Sequence, residues 1–384
     1  MDMPLNSFLY SIPYIIIFVL LWFFYLNEIG RIENGFSSKY ARNISFLLIL
    51  GFIGLRGHLY SDFISYYPFF ENLPTINKLD DFFQEKFEPG FVIYSSIIKT
   101  IIPNYFVWVF INTLLDLVLL RLVFKRYTDS LVLPFIFFLA YQGLIIEFNL
   151  YQNSKAIVLF LLSLPYLKQR KLIPYILLNL LGASFHIGAV IYIPFYFILQ
   201  KELPRWLVWS MLIIANVIFL GGINITSSLI LFFGNVTNQD LLLRVLLYQD
   251  MGNEYVLSFG YLERTFSILV LTILYKKLIK QNSFNRILYN CALFYYFTFM
   301  LLSDIRVFSE RIPLMFIFSY WILFSNIAVL KFKFKRVIFC FLIIISFLKI
   351  FVSSQHVMSY YDNLLWGIKD YEERRQNSET FFNK

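Results

Sequence analysis

Arg56 and Asp62 lie six positions apart in LRGHLYSDFISYYPFF (55–70), and Tyr66, Tyr67 and Phe70 follow closely. Aromatic faces stack on pyranose rings and carboxylates accept hydrogen bonds from sugar hydroxyls, while a guanidinium pairs two phosphate oxygens at once. An aromatic and carboxylate cluster next to a cation suits a sugar site. Two plainer readings stay open: an arginine snorkelling at a helix end, and an interfacial aromatic belt with a surface ion pair. His186, in SFHIG, has apolar stretches on both sides and reads either as a structural hydrogen bonder or as a general base facing a cavity. Arg306 and Arg311 fall within SDIRVFSER (303–311), where phosphate recognition competes with local pairing to Asp304 and Glu310. Lys155 closes the corner EFNLYQNSK (147–155) and either binds phosphate or pairs Glu147.

The elements that must position these residues lie in a membrane. Of 384 residues, 59% are hydrophobic and only 15% charged, against about 25% charged in an average soluble domain. The net charge of +9 sits in short loops between apolar runs, which is a topology signal rather than a nucleic-acid footprint. Two distant cysteines, Cys291 and Cys340, give no disulfide framework, and three histidines make a His-rich metal centre a poor reading. No P-loop, GxGxxG, HExxH or GxSxG motif occurs. Asp80–Asp81 reads as part of a solvated acidic loop.

Apolar runs fall near 8–26, 44–55, 105–124, 131–147, 154–167, 172–185, 187–200, 206–222, 262–275, 287–303, 312–330 and 337–354. A span needs roughly 20 apolar residues and about 17 suffice, so several runs are short. The first follows MDMPLNS, which lacks Lys and Arg, and reads as an uncleaved span. Basic clusters at 31–42, 125–126, 168–171, 201–205, 276–286 and 331–336 are all expected on the cytoplasmic side. That requires 172–200 to cross twice, turning near SFHIG, and 91–104 to be re-entrant or interfacial. The expectation is an all-α polytopic membrane protein of about twelve transmembrane helices with both termini outside and an outward-facing cavity. Residues 1–354 form one transmembrane domain, the outer segments 56–88 and 223–260 contribute to the cavity, and 355–384 form a polar, solvated tail.

The ordered series GLRGHLYSDFISYYPFF, FEPGFVIYSSIIK and FNLYQNSKAIVLF…SFHIG resembles the EpsG-like branch of the Wzy-type O-antigen and exopolysaccharide polymerases. Arg56, Asp62, Tyr66, Glu88, Gly90 and His186 stand where that pattern puts them, and Arg311 fills a late outer-loop arginine. In the register set by Asn149 and Ala156, the family's Arg falls on Gln152 and its Gln on Asn153, with Lys155 nearly one turn on. The resemblance implies a membrane glycosyltransferase of the bacterial inner membrane with its active site facing outward. Its substrates would be undecaprenyl-diphosphate-linked repeat units, without a metal or other cofactor, with inversion at the anomeric carbon and with a chain-length regulator as a further partner. In that reading His186 and Asp62 are catalytic, with His186 the favoured base. Arg56, Arg306, Arg311 and Lys155 hold the diphosphate, and Tyr66, Tyr67 and Glu88 hold sugar. An O-antigen ligase and a lipid-linked oligosaccharide flippase are the alternatives.

Overall fold

The computed structural model describes residues 4–79, 87–237 and 257–382, so Asp80–Asp81 and residues 238–256 of the 223–260 segment lie outside it. Every regular element among the described residues is helical, as expected of a chain whose backbone must satisfy itself in lipid. Three helices are long and apolar enough to cross a membrane: Phe8–Glu33, Tyr105–Tyr127 and Lys335–Ser353. Two further candidates are bent pairs, Arg205–Leu220 with Ile225–Phe232 at 85°, and Arg306–Leu314 with Phe318–Ile327 at 55°. Several other apolar runs form shorter helices, among them Leu133–Asn149 and Leu172–Phe185.

The chain divides into two compact units, Met1–Pro194 with Phe324–Lys384, and Phe195–Leu323. In the first, α1 (Ile12–Glu33) packs on α2 (Lys39–Gly54), and α2 packs on α5 (Tyr105–Tyr127). Between them in sequence come α3 (Phe63–Asn72) and α4 (Pro89–Ile101). At 13 residues, α4 is about 20 Å long, too short to span; this is the segment expected to be re-entrant or interfacial. The 133–149 run is broken into α6 (Leu133–Phe138) and α7 (Leu144–Asn149) by a π-type turn in which Gln142 takes a φ of 65°. Then α8 (Tyr151–Lys168) lies along α9 (Leu172–Phe185). The chain leaves α9 at His186 (φ −153°, ψ 115°) and folds back as 3-10 turns over Ile187–Tyr192, with the Tyr175 hydroxyl donating to the Tyr192 carbonyl. The reversal falls at SFHIG, where the sequence places it, but its return leg is not an α-helix.

The two ends of α2 mark two ends of this unit, about 24 Å apart for sixteen residues. At one end the buried Glu28 carboxylate accepts from Arg42 Nε (2.6 Å), Ser130 Oγ (2.5 Å) and the Leu131 N–H (3.1 Å). At the other, residues 55–62 meet the Asn149 corner and the segment 355–364, which also pairs with the N-terminal residues 5–7.

The C-terminal segment, expected to be solvated, packs against this second end. Arg374 pairs Asp362 at 2.7 Å with side chains only 2% and 7% exposed, and Tyr371 stacks on Tyr67 with centroids 4.6 Å apart. Gly57 donates its N–H to the Asp362 carbonyl, and a Cβ on Gly57 would lie 2.2 Å from Asp362 Oδ1. Mean polarity hides this docking because the inward stripe of the terminal helix (Tyr371–Phe382) is Tyr371, Arg374 and Ser378, at helical spacing but only one-third apolar.

In the second unit, Asn216 joins three helices, donating to the Tyr296 hydroxyl and accepting from that of Tyr261, each at 2.8 Å. Asp304 Oδ2 accepts from the Ser227 N–H at 2.8 Å, near the start of the helix Ile225–Thr237.

Candidate functional site

Glu88, Pro89 and Gly90 start α4, with Glu88 as the extended cap residue and Pro89 in the first turn, where its fixed φ suits a helix start. Gly90 touches the end of α9: a Cβ there would lie 2.3 Å from Ser184 Oγ and 2.7 Å from the Ser184 carbonyl oxygen. Only a residue without a side chain allows this approach, and it brings the Glu88 carboxylate to the reversal at His186. Glu88 Oε1 lies 3.4 Å from His186 Nδ1 and accepts the Ile187 N–H at 3.0 Å. Glu88 Oε2 accepts from the Gln152 side-chain amide on α8. Three sequence segments that are distant along the chain thus converge on one carboxylate.

Burial pushes the Glu88 carboxyl up, but the hydrogen bonds from His186 and from the Ile187 N–H outweigh it and hold the group below its ordinary value. An ionised acceptor at Nδ1 assigns the proton to that nitrogen and leaves Nε2 as a base. Nε2 lies against Gly188, where an added Cβ would come within 2.8 Å of it. The side chains of His186 and Glu88 stay 28% and 20% exposed, so the pair remains reachable.

Tyr66 is buried beside this group, stacked on Tyr151 at 4.4 Å. Its hydroxyl is held well above the usual phenol range by burial, then by the charges of Asp62 and Glu88, with Tyr151 adding to them. Asp62 itself accepts from Ser61 Oγ at 3.0 Å, and Asn149 Oδ1 accepts the Ser61 and Asp62 N–H groups at 3.3 and 3.4 Å. The carboxylate placed on His186 is therefore Glu88, which the sequence assigned to sugar, while Asp62 is tied to the Asn149 corner. Tyr67 points another way, toward Tyr371 and edge-on to His58 at 5.1 Å.

Two of the expected diphosphate ligands are committed to the interior. Arg56 is buried: its NH1 donates to the Ile53 carbonyl (2.5 Å) and Thr113 Oγ1 (3.1 Å), its NH2 to the Glu147 carbonyl (2.6 Å), and its guanidinium lies over Phe148 and Tyr151. Lys155 pairs Asp116 rather than Glu147, at 2.6 Å, with both side chains at most 3% exposed. These cations fasten α2, α5, α7 and α8 to one another, because a guanidinium or ammonium without solvent must be paired where it stands. Arg306 and Arg311 belong to the second unit and are exposed. Arg306 pairs Glu310 one turn on at 2.7 Å, the local pairing already weighed from sequence, whereas Asp304 faces Ser227. Arg311 makes no ion pair among the described residues.

Sequence reasoning missed Gln152 and Gly188 as parts of the site and Asp116 as the partner of Lys155. The register of the Asn149–Ala156 stretch contained the first signal, since it singles out position 152.

No curated protein and no solved structure matches the chain. The family model described as EpsG family matches residues 39–365, from the start of α2 to just short of the terminal helix. That range contains Glu88, Gln152, His186 and both exposed arginines, and the chain belongs to the EpsG family.

Proposed function

We propose that the protein is a polysaccharide polymerase that moves a growing glycan from undecaprenyl diphosphate onto the terminal sugar hydroxyl of another lipid-linked repeat unit, at the outer leaflet of the inner membrane. Family membership points to a polymerase-like role in exopolysaccharide or O-antigen assembly. The observation that carries the chemistry is the Glu88–His186 pair, with Nδ1 turned to the carboxylate, Nε2 beside Gly188 and the imidazole side chain 28% exposed.

In this reading the acceptor hydroxyl gives its proton to His186 Nε2 as its oxygen bonds to the anomeric carbon of the donor. The bond from that carbon to the diphosphate oxygen breaks, and the electron pair leaves on the lipid diphosphate. One displacement inverts the anomeric centre. Glu88 stabilises the imidazolium that forms, and Gln152 and the Ile187 N–H hold Glu88 in place. Asp62 lines the acceptor side, Tyr66 backs it from the buried aromatic packing that Tyr67 adjoins, and Arg56 and Lys155 act by fixing the 147–155 corner. On sequence grounds the diphosphate is assigned to Arg306 and Arg311. The twelve-span topology and the outward cavity belong to the same reading.

The test is polymer formation in membranes from a strain lacking the gene and complemented with variants. His186→Ala is expected to leave single repeat units on lipid or acceptor with the protein still inserted. A normal polymer ladder from His186→Ala would dismiss the proposal, and loss of even the first repeat from the acceptor would favour a ligase or flippase.

A further inference from the structure

At the end of the first unit opposite His186, a cavity of about 790 Å³ opens between the start of α2 and the end of α5. Lys39, Arg42, Arg121 and Lys125 all line it. Two of these cations are set in position. Arg121 donates to Asn43 Oδ1 at 2.6 Å and lies over the Phe46 ring at 5.0 Å, and Arg42 is held by buried Glu28. Lys39 and Lys125 are exposed and have no side-chain partner among the described residues. Against the four cations stand Glu28, already neutralised by Arg42, and Asp129 on the rim, leaving a surplus of two positive charges.

The wall beside these charges is oily and faces outward. Leu122 and Val118, on successive turns of α5, are 54% and 39% exposed, and Phe36 is 69% exposed at the mouth. Cations at the end of an apolar helix face, with exposed aliphatic side chains running away from them, suit an amphiphile with an anionic head and hydrocarbon tails. A soluble anion would use the charges and leave the apolar wall unexplained.

We propose that this cavity binds the phosphodiester head of an anionic glycerophospholipid, with its acyl chains along Val118 and Leu122. Arg121 and Arg42 are the fixed donors, and Lys39 and Lys125 close on the head from the two sides. This is a membrane-lipid site at the end of the bundle remote from the proposed chemistry, and it does not depend on the polymerase reading.

Native mass spectrometry of the full-length protein in detergent tests it, with phosphatidylglycerol, cardiolipin, phosphatidylcholine and inorganic phosphate as probes. Retention of the anionic lipids over phosphatidylcholine is expected. The double variant Lys39→Gln/Lys125→Gln should bind them about 30-fold more weakly, the loss of two surface-lysine attractions. Lys333→Gln/Lys335→Gln, in the other basic loop at 331–336, should leave retention unchanged. Equal retention of phosphatidylcholine, displacement of lipid by millimolar inorganic phosphate, or no effect of the Lys39/Lys125 pair would each overturn the proposal. Both variants keep the buried Glu28–Arg42 and Arg121–Asn43 contacts, so folding is not at stake.

Discussion

Glu88→Gln keeps the shape of the site and removes one charge. A glutamine at 88 can still accept the Ile187 N–H, so the reversal at His186 should hold. What disappears is the attraction between the carboxylate and the imidazolium formed during proton transfer. At the observed 3.4 Å separation, that attraction is about 5 kcal/mol at an effective dielectric of 20 and about 1 kcal/mol in bulk water. Side chains 28% and 20% exposed lie between these limits, and about 2 kcal/mol is the expected share, a rate loss of about 30-fold. The assay is the initial rate of polymer growth from native lipid-linked units in vesicles, normalised to inserted protein. His186→Ala sets the floor, with general-base loss contributing a factor of about 100 to 10,000. If Glu88→Gln grows polymer at the wild-type rate while His186→Ala is inactive, the carboxylate is not assisting the base, and the reasoning from geometry is wrong.

Three further outcomes follow from the structure. Gly188→Ala puts a Cβ 2.8 Å from His186 Nε2; polymer growth should fall at least about tenfold with normal insertion, and an unchanged rate would mean that Nε2 is not the reacting nitrogen. Lys155→Met leaves Asp116 unpaired in the interior and should cost about 3–5 kcal/mol in detergent unfolding, with Asp116→Asn/Lys155→Met recovering most of it; a loss below about 1 kcal/mol would contradict the burial assigned to the pair. His58 sits among Phe63, Tyr67, Tyr105, Phe106 and Tyr371, where burial, and then the Arg374 charge, lower its pKa from 6.5 to about 4 against the opposing pull of Asp370. Between those values the unfolded chain binds a proton that the folded one refuses. Stability should therefore be flat with respect to this group above pH 6.5 and fall by about 3 kcal/mol as pH drops to about 4. His58→Phe should remove that slope, and an identical pH profile would place the titration elsewhere.

Membrane class, the reversal at His186 and the shortness of α4 were legible because each rests on apolar run length and a local interruption. The fates of Arg56 and Lys155 were not, since a cation at the end of an apolar run looks the same whether it reaches outward or turns into the bundle. The difference is made by Thr113, Asp116 and the Glu147 carbonyl, contributed from other helices. The docked C-terminal segment was hidden for a related reason: its anchor is an Arg–Asp pair, polar by composition and buried by geometry. Glu88 was recognised as a site residue, but its approach to His186 was not legible, because α4 and α9 meet through Gly90, a close contact between segments far apart in the chain.

Gln152 decides whether its position works by charge or by donation. It stands where the sequence resemblance puts an arginine, and its amide reaches Glu88 Oε2. Lys155, three residues on and one helical turn away, is fixed to Asp116 and so sets the rotation of α8 that aims Gln152 at the carboxylate. If that position needs a donor rather than a cation, Gln152→Arg should stay within a few-fold of the wild-type rate. Gln152→Ala should lose more, because a partly buried carboxylate oxygen without its donor costs about 1–3 kcal/mol, toward the lower end where water can enter. The same vesicle assay separates the two. An alanine variant as fast as wild type would show that Glu88 is held without α8, and an arginine variant slower than the alanine one would show that a second charge competes with His186 for the carboxylate.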